Sequence, residues 1–261
     1  MGHVRVGRLP HGRKWDELVA VLASTPLDVA SVSGAVLEAS DERLRFLSRD
    51  PSVGYCFWVL VRLAQAAQGD RFAAEAAGLG VPLSENLTTI AFVARLSQRV
   101  SAELEGQNAS GHFREMAAQS LRRSLVDTAG QQGASLFGSR SDEIREGFRR
   151  HAGADQFGRL STRFFGDFLS RVIRNAVDRE LSKHVGPGRA IPDAEGSAQF
   201  TTGLDRYARE SARIVQDFAR DWYAKKQWHE KSEVSRAEAQ AFVGVALRKL
   251  RTDLKLAGSA L

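Results

Sequence analysis

The sequence has one cysteine, six prolines and no long apolar run, and each shortage excludes something. A single thiol, Cys56, can build neither an internal disulfide framework nor a cysteine-rich zinc site. That usage fits a reducing compartment. Cys56 lies in the apolar run GYCFWVLV and is expected as a buried structural thiol. The longest apolar run, residues 53–61, is about half of the roughly 20 residues needed to cross a bilayer. No secretory signal is visible, because the basic start leads into the amphipathic WDELVAVL and not into an apolar stretch. The expectation is a cytoplasmic protein without a membrane contact. Few prolines and no low-complexity tract argue against a disordered chain.

Several chemistries lack their signatures. GLGVP and GPGRAIP have neither the strand-then-helix setting nor the lysine of a phosphate-cradling loop. No G-x-S-x-G elbow occurs. HEKSE, residues 229–233, lacks the second histidine that would put two ligands on one helix face. Asp217 and Asp221 stand one turn apart in DFARD and could share a magnesium ion with a phosphate. No second acidic cluster joins them, and Arg213 and Lys225 flank them, so the pair reads as a solvated helix face. DVASVSGAVLEASDERLRFL matches a helix-turn-helix poorly, since Ser40 and Arg43 fall at positions that call for apolar residues. No catalytic residue, metal or cofactor is assigned.

What the chain does have is ordinary bulk and uneven charge. Its 261 residues, 43% hydrophobic and 26% charged, are enough for one large domain or two smaller ones. Arginine outnumbers lysine 30 to 7, and alanine is abundant, which points to a GC-rich bacterial genome. Residues 1–138 are neutral, while residues 139–261 hold the whole net charge of +6. The first 14 residues contain four cations and no acid, so residues 15–138 are net −4. Basic arm, acidic body and basic body follow one another, a layout that steers partners more than it binds them.

Nearly every segment carries helical periodicity. PSVGYCFWVLVRLAQAAQG is apolar all round and reads as a central buried helix. Ser84 is expected to cap the helix that contains residues 87–104. A helix from about 155 to 185 carries the stripe Phe157, Leu160, Phe164, Phe168, Val172 and Ala176. A second, from 197 to 228, carries Phe200, Leu204, Ala208, Val215, Phe218 and Trp222. Ser235 with Glu238 forms a capping box for the last helix. The fold class is therefore all-α: a multi-helix bundle of about nine to ten helices in two packed halves, 15–138 and 139–261, or one continuous domain. An extended basic arm, residues 1–14, precedes it.

Two groups of residues are candidate contact points. In the arm, Val4, Val6 and Leu9 are apolar pegs between Arg5, Arg8, Arg13 and Lys14, suited to a partner's sheet edge or to an acidic surface. In the basic half, Lys183, His184 and Arg189 form a small cationic loop. Arg248, Lys249, Arg251 and Lys255 line the last helix, where they can meet phosphates without reading sequence. The leading expectation is a non-enzymatic helical binding or adaptor subunit of a bacterial multi-component assembly, with partner proteins held by the arm and the basic half. Homo-oligomers use the same kinds of surface. The first alternative is a sequence-independent nucleic-acid-binding protein. The second is an enzyme whose site is assembled from distant residues, with Asp217, Asp221, His184 and Arg189 as its first candidates.

Overall fold

A computed structural model describes residues 13–24, 27–39, 50–106, 111–129, 141–230 and 232–259. The first helices are α1 (Arg13–Leu22), α2 (Val29–Ala39), α3 (Pro51–Gln68), α4 (Phe72–Gly78), α5 (Thr89–Gly106) and α6 (Gly111–Ala129). They are followed by α7 (Ser141–Arg149), α8 (Ala154–Leu181), α9 (Ala194–Ser211), α10 (Ile214–Ala224) and α11 (Arg236–Ser259). Among the described residues no strand forms. A lone bridge between Val185 and Ile191 closes the loop after α8. The all-α bundle expected from periodicity is what the chain builds.

Helix α3 is the hub. Asp50 accepts the Ser52 N–H at 2.9 Å and Pro51 occupies the first turn, where its missing N–H costs nothing. Beyond that turn the helix is buried on nearly all sides, as its all-round apolar sequence requires. At its centre Phe57 meets Phe157, Phe164 and Phe165 of α8, Trp222 of α10 and Phe242 of α11, with ring centroids 4.9–6.2 Å apart. Offset and tilted ring pairs of this kind add stabilisation beyond their buried area. Cys56 is fully buried, and burial pushes its thiol well above the ordinary range. It is a core residue.

A second apolar cluster sits beside the first. Trp15, Leu18 and Leu22 of α1 and Val32 and Val36 of α2 pack on Ile173, Val177 and Leu181 of α8 and on Phe200 and Leu204 of α9. Helix α8 thus serves both cores, its first half in one and its second half in the other. Both clusters also draw residues from either side of position 138.

Three local expectations change. Helix α5 begins at Thr89, and the Thr88 hydroxyl, not Ser84, accepts the Ala91 N–H at 3.2 Å. The helix expected over 197–228 is interrupted. It turns at 212–213, where the N–H of Val215 reaches back three residues to Ala212, and becomes π-helical over Lys225–Glu230. Ala208, before the turn, packs into the second cluster, and Val215, Ala219 and Tyr223, after it, pack into the first. Finally, Arg13 and Lys14 are not extended; they form the first turn of α1.

Candidate functional site

Each sequence-level candidate has a definite position or lies outside the described residues. Val4, Arg5, Val6, Arg8 and Leu9 lie outside them. Arg13 pairs with Glu17 at 3.4 Å and Lys14 with Glu38 at 3.3 Å, so both cations of the first turn are engaged within the α1–α2 hairpin.

The loop after α8 ties its exposed cations to its own chain. Lys183 donates to the buried carboxylate of Glu180 at 2.8 Å. Arg189 Nη1 donates to the Lys183 carbonyl at 2.6 Å. Both hold the loop closed, and His184 Nε2 is buried beside them without a hydrogen bond. The four residues named for an assembled active site do not meet. Asp217 and Asp221 lie near the start of α8, where Arg220 binds both and also reaches Asp155 at 4.0 Å. His184 and Arg189 lie beyond the other end of α8, which at 1.5 Å per residue is roughly 40 Å away.

On α11, Arg248 and Lys249 are exposed. The Lys249 ammonium stands 5.5 Å from the Phe218 ring centroid, a cation–π contact that orients it over α10. Arg251 is half-buried, and the Lys255 side chain is outside the described set. Among the described residues no group of three or more histidine, cysteine or acidic side chains is arranged to hold a metal.

Clefts open on the surface of the described residues. One, about 600 Å³, lies between α5 and α6 over the small side chains of Ala94, Ser97, Ser101 and Ala118. A second, about 420 Å³, lies between α6, α8 and α9. There Asp167 accepts from Ser120 at 2.9 Å and from Arg171 at 2.6 Å, and Arg174 bridges Asp178 and Asp205. Burial raises the Asp178 carboxyl above its ordinary value; Arg174 opposes the shift and Asp205 adds to it.

A third cleft, about 370 Å³, borders a clamp between α3, α4 and the segment before α11. Arg62 donates to Glu75 at 2.9 Å and pairs with Glu233 at 2.6 Å, and Arg71 holds the other Glu233 oxygen. Gln65 accepts the Val234 N–H at 3.1 Å and the Trp58 indole donates to the Val234 carbonyl at 2.9 Å. These bonds satisfy an irregular backbone stretch that would otherwise carry unpaired groups. The clamp is a structural fastening whose charges are spent on each other.

Sequence reasoning passed over one feature that the fold assembles: arginines on facing rims of α8 and α9–α10. Arg159, Arg163, Arg209 and Arg213 are exposed and form no ion pair among the described residues. Gly158 and Gly166, placed inside a long helix at the crossing, were the available signal, since glycine in a helix interior marks a close approach. Compared with protein-family models, with curated proteins and with solved structures, the chain matches none.

Proposed function

We propose that the chain is a helical binding protein that meets an anionic macromolecule through the basic surface of its C-terminal half, as a contact-making subunit and not as a catalyst. The observation that carries this reading is how the arginines of residues 139–261 are used. Arg220 takes three carboxylates and Arg171 and Arg174 bind acids of the α8–α9 cleft. Arg206, Arg209, Arg213 and Arg248 are exposed on neighbouring helices without an ion pair among the described residues. Exposed like charges without partners in the fold raise its free energy through mutual repulsion, and a polyanion relieves it. A cytoplasmic, bacterial setting accords with the single buried cysteine and the arginine-rich composition.

The test is retention of the purified full chain on immobilised polyglutamate and on immobilised duplex DNA at physiological ionic strength. Retention on either matrix, reversed by added salt, is the expected result. Passage through both without delay overturns the reading.

A further inference from the structure

Two glycines set the approach of α8 to the α9–α10 pair. A methyl group on Gly158 would lie 2.7 Å from the Gln216 carbonyl oxygen, and one on Gly166 would lie 3.2 Å from Arg209 Cα. The two contacts fix an antiparallel register, with 158 opposite 216 and 220, and 166 opposite 209 and 212. Thr162 lies between them, level with Arg213. Arg159 and Arg163 are exposed one turn apart on α8, and Arg209 and Arg213 are exposed on either side of the turn that joins α9 to α10. The line where these helices meet is a furrow flanked by the four exposed arginines, of which Arg209 also lines the cleft that holds Asp167, Asp178 and Asp205.

The neighbouring acids are occupied. Asp155, Asp217 and Asp221 bind Arg220 at one end, and Asp205 receives Ser170 and Arg174 at the other. Glu210, exposed on α9, offsets one of the four rim charges.

We propose that this furrow is a track for the phosphate backbone of a nucleic-acid duplex, an assignment that rests on the anionic-partner reading above. All four rim cations are arginine, whose planar fork matches a phosphate in two parallel hydrogen bonds. Arg159 and Arg163 recur about 6 Å apart along α8, and Arg209 and Arg213 stand on the helices packed against it. No aromatic side chain lies on the rims, so neither base stacking nor the apolar anchor of a protein interface is provided. The exposed apolar residues Ile90, Val126 and Trp228 belong to other elements. Ile214, 40% exposed, is the residue after Arg213 at the start of α10.

The experiment is a fluorescence-anisotropy titration of a labelled mixed-sequence DNA duplex, with labelled polyglutamate in parallel. It uses the full chain, the quadruple variant R159E/R163E/R209E/R213E, the quadruple arginine-to-lysine variant, the single variant R213A and the pair R248E/K249E. Circular dichroism melts verify that each is folded. The wild type is expected to bind the duplex more tightly than polyglutamate. The glutamate quadruple should lose at least about 100-fold in affinity, while the lysine quadruple retains most of it. R213A should lower the salt slope by about one unit at unchanged fold, which keeps the inference testable if the quadruple variant unfolds. Duplex binding that survives in the glutamate quadruple and disappears in R248E/K249E overturns the furrow and leaves the anionic-partner reading standing. Binding of polyglutamate without the duplex overturns the nucleic-acid class alone. Binding of neither overturns both.

Discussion

Arg62 and Arg163 are the same side chain on two long helices of one bundle, in opposite electrostatic settings. Arg62 is 12% exposed and is held by Glu75 and Glu233, which together raise its affinity for its proton against the opposing effect of burial. Arg163 is exposed and forms no ion pair among the described residues. It helps hold the buried His151 imidazole below its ordinary value, second to burial itself. The difference teaches where to look for function in this molecule. Charges that fasten the fold are matched by partners inside the chain, and those without such a partner at the crossing of α8 with α9–α10 are the ones proposed to meet a partner from outside.

The largest expected effect falls on the matched side. R62A leaves the Glu75 carboxylate, 16% exposed, without its partner, and should cost about 3–5 kcal/mol, read from the urea midpoint at constant m-value. A cost below about 1 kcal/mol would put Arg62 in the same class as the exposed arginines and dissolve the contrast. Next, G158A forces a methyl group against the Gln216 carbonyl and should destabilise by about 1–3 kcal/mol. It should also widen the furrow and weaken duplex binding more than the equally destabilising loss of a distant core methyl group. Equal effects from both would deny the crossing any special part in binding.

A smaller effect belongs to the cap of α11, where Ser235 and Glu238 exchange hydrogen bonds at 2.7–3.2 Å and Lys226 binds the same carboxylate. S235A should cost about 1 kcal/mol. The Lys226 ammonium, and then Ser235, hold the Glu238 carboxyl down at about 2, below its ordinary 4.5. A lowered carboxyl stabilises the fold above its unfolded value and loses that contribution as pH falls through the folded one. Stability should therefore decline between about pH 4.5 and 2, and less steeply in E238Q. His151, also lowered, gives a second limb of the same sign below pH 6.5, because the unfolded histidine accepts a proton that the folded one resists. H151Q should flatten it. The smallest effects are on the unmatched side: R159A and R209A should each change stability by no more than about 0.5 kcal/mol. A loss above about 1 kcal/mol in either would show that these arginines hold the fold.

Much of this was legible in the residues themselves. The all-round apolar α3 and the Ser235–Glu238 box are local signals, and local geometry obeys them. The turn at 212–213 was not legible, because Ala208, Ala212 and Val215 keep a helical apolar spacing straight through it. The residues before the turn pack into the second core and those after it into the first, and no window of sequence contains two cores. For the same reason the charged candidates were drawn from runs such as 183–189 and 248–255, where cations are neighbours in the chain. Lys183 and Arg189 are spent on a buried carboxylate and a backbone carbonyl. Arg163 and Arg213, fifty positions apart, become neighbours only once Gly158 and Gly166 draw the helices together.

The measurement that tests the central claim most directly is the salt dependence of duplex binding by the unmodified full chain. Four rim arginines that neutralise four phosphates predict a slope of log K against log salt of about −3.6, roughly a 100-fold loss of affinity between 50 and 200 mM. A slope near zero, or no binding at the lowest salt, would contradict the claim that the unmatched arginines of the furrow exist for a polyanion.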